Sequence, residues 1–74
     1  MEMHMTHTYT AIIKHDGPWW IGWIEEVPGV NCQEKTRASL VKSLQQTLSE
    51  ALEMNREDAI SAAGTGYEEL HIAV

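Results

Sequence analysis

The chain has 74 residues, eleven of them acidic and five basic, giving a formal net charge of −6 at pH 7. This is the size of one small domain, and the charge argues against sequence-independent nucleic-acid binding, which needs a Lys/Arg surface to neutralise phosphates. A single cysteine, Cys32, excludes an internal disulfide and fits a reduced, cytoplasmic protein, because secreted domains this small usually carry several bridges.

The longest apolar runs fall far short of the ~20 residues that span a bilayer, and the first residues lack the basic and apolar regions of a signal peptide. Residues 1–74 read as one domain, with residues 1–6 a flexible lead-in. Residues 7–14, HTYTAIIK, are rich in β-branched and aromatic side chains and predict a first strand. His15-Asp16-Gly17-Pro18 is a turn: Asp can bond its own backbone, Gly tolerates positive φ, and Pro fixes φ. Residues 19–24, WWIGWI, predict a second strand and, with so short a connection, an antiparallel hairpin. Alternation puts Trp19, Ile21 and Trp23 on one face and Trp20, Gly22 and Ile24 on the other. Both faces are apolar. One is expected to meet a helix, with the small Gly22 admitting it, and the other needs a second cover from a partner or another copy of the chain.

Val27-Pro28-Gly29 breaks the strand, since Pro cannot donate to a ladder. Residues 30–33 predict a short third strand, and Thr36 a helix N-cap. Leu40, Val41, Leu44, Leu48, Ala51 and Leu52 then form a helical stripe, which predicts a helix over residues 37–54. Asn55 and Asp58 resemble a second cap signal, so residues 56–63 are expected as a short second helix stopped by Gly64 and Gly66. Residues 67–74, YEELHIAV, read as a last strand. The resulting order is β-β-β-α-(α)-β, a small α+β antiparallel sheet with the helix packed on one face.

This arrangement resembles the HicB-family antitoxins of bacterial and archaeal toxin–antitoxin modules. The resemblance runs through Tyr9-Thr10-Ala11-Ile12-Ile13, the Asp16-Gly17 turn, Trp19-Trp20-Ile21-Gly22-Trp23, Val27-Pro28-Gly29-Val30, Thr36 opening the helix, and the stripe through Leu52. It covers residues 9–74. It implies a truncated ribonuclease-H-like sheet and a protein that binds a small basic HicA-type toxin, an mRNA-cutting ribonuclease, and masks its active site without itself catalysing anything. The small core and the second apolar face separately lead to the expectation of a homo-oligomer, most simply a dimer. Many members carry a further DNA-binding domain; here the residues after Met54 are expected to hold no helix-turn-helix, and a ribbon-type segment is not expected because Arg56 is the only Lys or Arg after Lys42. Glu34-Lys35 stand where the family often has Gly-Asp, which bears on the approach to the helix.

The candidate partner-binding or oligomer-interface residues are Trp19, Trp23, Glu25 and Glu26. Trp is enriched at interface hot spots, and the two carboxylates offer negative charge to a basic surface; a hairpin core and solvated turn carboxylates are the plainer assignments. No catalytic, cofactor or metal site is expected. Two-metal phosphoryl chemistry needs several carboxylates converging within about 4 Å of two metal ions, and Glu25 and Glu26, being adjacent, face opposite ways in a strand. His4 and His7 share a spacing but have no carboxylate or thiol in register with them, and Cys32 has no activating neighbour in sequence. Two readings from other classes stay open: an orphan structural or regulatory domain binding a different protein, and a relic nuclease.

Overall fold

The computed structural model describes residues 8–73. Three strands, β1 (Ala11–Asp16), β2 (Trp19–Ile24) and β3 (Asn31–Glu34), precede one helix, α1 (Arg37–Ala63). The strands form an antiparallel sheet in the order β1-β2-β3. The architecture is α+β, with the helix on one face of the sheet. The predicted lead-in lies outside the described residues, as does His7, the expected start of the first strand.

The β1–β2 connection follows from two adjacent residues. Asp16 pairs with Trp19, so the loop is Gly17-Pro18 alone. Gly17 has φ +60°, and the pyrrolidine ring holds Pro18 at negative φ. Positive then negative φ is the type II′ pattern, whose twist suits a hairpin. At the far end the ladder continues past the strands, with the Glu25 N–H donating to the Thr10 carbonyl at 2.9 Å. Beyond it, residues 25–30 fold back on β2: the Ile24 N–H donates to the Val30 carbonyl at 3.0 Å, which seats Val30 in the core.

Thr36 caps α1 as its sequence position suggests. Its backbone is extended, φ −131° and ψ 157°, and its Oγ1 accepts from the Ser39 N–H at 3.1 Å. The stripe behind it packs as expected. Leu40 and Leu44 are buried with Ile24 and Val30, and Tyr9, Ile13, Trp20, Val27, Cys32, Leu48 and Ala51 surround them. Two polar contacts tie α1 to β3: Ser43 Oγ donates to Glu34 Oε2 at 2.6 Å, and Cys32 Sγ lies 3.5 Å from Thr47 Oγ1.

Two expectations for the second half of the chain are corrected. The helix does not stop at Met54 and restart: it runs unbroken for 27 residues to Ala63. No Gly or Pro lies between Arg37 and Ala63, and Asn in a helix interior costs less than about 0.7 kcal/mol relative to Ala, too little to break an intact i→i−4 ladder. The helix ends at Gly64, φ +74°, whose N–H donates to the Ile60 carbonyl at 3.1 Å. The expected last strand is also absent among the described residues: residues 67–73 are irregular. At ~1.5 Å per residue α1 is about 40 Å long, whereas a six-residue strand covers about 20 Å. Its last turns overhang the sheet, so the residues that follow start far from any strand they could pair with. Gly64 and Gly66, both at positive φ, turn the chain back onto the helix. There Arg56 Nη1 donates to Glu69 Oε1 at 2.9 Å and Arg56 Nη2 to Glu69 Oε2 at 3.4 Å.

Candidate interaction surface

The register of the sheet settles which rings face where. Residues directly paired across antiparallel strands share a face. Ile13 pairs with Gly22, which pairs with Cys32; Ala11 pairs with Ile24; and His15 pairs with Trp20, which pairs with Glu34. This is the face under α1. The opposite face carries the pairs Ile12–Trp23, Lys14–Ile21 and Asp16–Trp19, with Asn31 beside Trp23 and Gln33 beside Ile21.

Gly22 decides between the two. A Cβ added there would lie 2.9 Å from Ile13 Cγ2, 3.0 Å from the Ile12 carbonyl oxygen and 3.1 Å from Leu44 Cδ1. The helix therefore approaches the Trp20–Gly22–Ile24 face, as the small residue in the middle of that row invites. Trp20 is half-buried against the core and in ring contact with His15, centroids 4.8 Å apart at 42°.

Of the sequence-predicted interface residues, Trp19 and Trp23 lie together on the uncovered face. Trp23 is 40% exposed and its partner Ile12 39%. With Ile21 between Trp19 and Trp23, these side chains make a continuous apolar strip on the outer surface of the hairpin. The Lys35 ammonium sits 4.8 Å over the Trp19 ring, a cation–π contact that holds one end of the strip. Ile12 and Lys35 complete the strip in the fold. Ile12 emerges only once the strand register is known, and Lys35 only once the approach to α1 is fixed.

Glu25 and Glu26 are exposed and follow directly on β2 at the Trp23 end of the strip. They are not equivalent. Glu26 Oε1 accepts from the Thr10 N–H at 2.8 Å, closing the ladder where the strand pairing runs out. That backbone hydrogen bond holds the Glu26 carboxyl below the usual carboxylate range. Glu26 thus has a structural partner within the chain, and Glu25 is the freer of the two to meet another molecule.

The acidic residues of the sheet do not converge. Asp16 stands at the hairpin turn, while Glu25 and Glu26 lie at the opposite end of a six-residue strand pair, roughly 20 Å away. Among the described residues no group of three or more His, Cys, Asp or Glu is placed to hold a metal ion. His4 and His7 lie outside them. Cys32 is half-buried against Thr47 rather than beside a base. No helix of the described residues is long and apolar enough to cross a membrane.

No family model, curated protein or solved structure matches this chain.

Proposed function

We propose that this chain is a HicB-like antitoxin, a cytoplasmic, non-catalytic binding protein that acts as a homo-oligomer, most simply a dimer, and neutralises a small basic HicA-type mRNA interferase by covering its active site. The observation that carries the reading is the uncovered apolar strip of Ile12, Trp19, Ile21 and Trp23 on a sheet whose other face is already occupied by α1. A strip of this kind, rimmed by Lys14, Asp16, Asn31 and Gln33, has the composition of an interface centre with a polar border. Trp is the residue type that most often dominates binding energy in such a centre. The sequence resemblance supplies the class of partner. The three antiparallel strands followed by a helix are compatible with the truncated ribonuclease-H-like sheet that the resemblance implies.

In this reading Trp23 and Trp19 fill apolar hollows beside the toxin's active site, and Glu25 meets its basic rim. Inhibition comes from steric occlusion, so no group on this chain needs a perturbed pKa or a bound ion.

The test is co-expression with the neighbouring small basic open reading frame, read by growth rescue and by affinity capture. Rescue that is lost on Trp23→Ser, with the chain still folded by circular dichroism, supports the reading. Capture and rescue unaffected by Trp19→Ser together with Trp23→Ser would place the toxin elsewhere. Absence of both capture and rescue would favour the second reading, an orphan domain that offers the same strip to a different protein.

A further inference from the structure

The strip on the outer sheet face is not the one uncovered feature of the described residues: Leu70 and Ile72, after the helix, are exposed as well. Among the described residues, Ile24, Val30, Leu40 and Leu44 alone form the buried hydrophobic core.

Two features on opposite parts of the fold are each incomplete and complementary. The first is the open edge of β1. Because Thr10 bonds toward β2 and strand residues alternate, the backbone groups of Ala11, Ile13 and His15 point to the side where, among the described residues, no strand lies. Below this edge, between β1 and α1, runs an apolar groove of about 190 Å³ lined chiefly by Tyr9, Ala11, Val41, Leu44 and Leu48. The second is the segment after the helix. Residues 67–73 place Leu70 and Ile72 on one side of an alternating pattern, the strand signature noted in the sequence, and leave them 79% and 78% exposed. One feature is an edge with a groove and no strand; the other is a strand-patterned segment with no edge.

The segment does not fill its own groove. Glu69 is held at Arg56, and even the near end of the groove, Leu48, lies eight residues up the helix from Arg56, about 12 Å away. Ile72 is three residues past Glu69 and reaches about 10 Å. A second copy has no such limit, because its groove can approach the segment where it lies against the overhanging end of α1.

We propose that residues 67–73 of one copy add as a strand to the open β1 edge of a second copy, setting Leu70 and Ile72 into the groove between that edge and α1, with the exchange made reciprocally in a two-fold dimer. Strand addition satisfies the backbone groups of Ala11, Ile13 and His15, and burial of the two side chains supplies the affinity. A two-fold axis closes the assembly, because each copy contributes one edge and one strand. The Trp strip stays free for a different molecule. The proposal rests on the dimer in the reading above and is independent of the toxin.

The experiment uses the full chain. Sedimentation across a concentration series should show a dimer. Labelled and unlabelled protein, unfolded and refolded together, should give filtered NOEs from the Leu70 and Ile72 methyls to Tyr9 and Leu48 of the other copy. The variant carrying Leu70→Asp and Ile72→Asp should weaken dimerisation by about 100-fold or more with its helical signal intact. Trp19→Ser with Trp23→Ser should leave the dimer in place. The proposal is overturned by a chain that is monomeric throughout, or by NOEs confined to one chain. It is overturned equally by contacts to the groove from residues 1–7 instead, or by a dimer that survives both aspartates and is lost with the tryptophans. None of these readouts involves the toxin, so growth rescue can fail while the dimer stands, and the reverse.

Discussion

Leu44 Cδ1 occupies the space that a side chain at position 22 would need: a Cβ on Gly22 would stand 3.1 Å from it. That single absence lets α1 lie close on the middle of β2. It also fixes which face of the hairpin is buried, and so leaves Trp19 and Trp23 on the other.

Gly22→Ala therefore tests the whole arrangement with one methyl. The Ile12 carbonyl oxygen at 3.0 Å is backbone and cannot swing aside as Leu44 can. Overpacking of this kind costs about 1–3 kcal/mol, and in a domain of this size each kcal/mol lowers Tm by ~4–8 °C. Thermal unfolding followed by circular dichroism should show the drop. An unchanged Tm would mean that the helix is not seated against Gly22.

The tryptophans should separate in the same assay. Trp20 lies against the core, whereas Trp23 is on the open face. Trp20→Ala should cost about 2 kcal/mol or more, through lost burial and the cavity left behind, and Trp23→Ala markedly less. Equal losses would contradict the face assignment.

Thr36→Ala removes the one side-chain acceptor at the start of α1, the bond from the Ser39 N–H. Loss of an N-cap of this type costs about 1 kcal/mol, measurable as a shift in the urea midpoint at constant slope. Thr36→Asp should restore or exceed the original stability, because a carboxylate both caps and opposes the helix dipole.

Much of this was legible because the decisive signals are local. Gly17-Pro18 dictates a tight hairpin, Thr36 a cap, and the 3–4 spacing from Leu40 to Leu48 a buried stripe. The errors came where a local signal met a longer-range fact. Asn55 with Asp58 reads as a cap, but a cap forms only if the preceding helix has ended, and nothing before it ends the helix. Residues 67–74 carry a strand pattern, yet a strand exists only beside an edge, and the length of α1 sets how far away that edge is. The outer strip was half legible: alternation placed Trp19, Ile21 and Trp23 together, but Ile12 joins them only through the β1–β2 register. Glu26 shows the opposite limit. A turn carboxylate looks free in sequence, and its bond to the Thr10 N–H depends on where the ladder stops.

That bond makes Glu26 a source of pH dependence. Its carboxyl is held below the usual range chiefly by the hydrogen bond from the Thr10 backbone, so the folded state favours the ionised form. A group whose pKa falls on folding contributes stability above its unfolded pKa and loses it as pH drops through the folded value. The chain should accordingly weaken on the acid side, below the ordinary glutamate pKa of about 4.3, and the Thr10 amide resonance should titrate with the Glu26 carboxyl. Glu26→Gln keeps an acceptor but removes the charge. The Tm advantage of the natural chain over this variant should be present at neutral pH and shrink toward pH 3. A difference that stays constant with pH would mean the carboxylate is not bonded to Thr10.

Arg56 and Glu69 set a second acid-side change, at the other end of the molecule. The paired guanidinium lowers the Glu69 carboxyl, first by hydrogen bonding and then by its charge. Both side chains are about half exposed, 55% and 48%, so the pair adds little to global stability and acts on the position of residues 67–73. The same sign applies: the contact holds above the unfolded pKa of the carboxyl and loosens as pH falls through the lowered folded value. Glu69→Gln should leave the unfolding transition almost unchanged while raising hydrogen exchange at residues 68–72, and in the natural chain the same amides should lose protection on acidification. Salt should mimic the mutation, because an exposed pair is screened at a Debye length of about 8 Å near physiological ionic strength. If exchange at these amides responds to neither the mutation, acid nor salt, Arg56 does not position the segment.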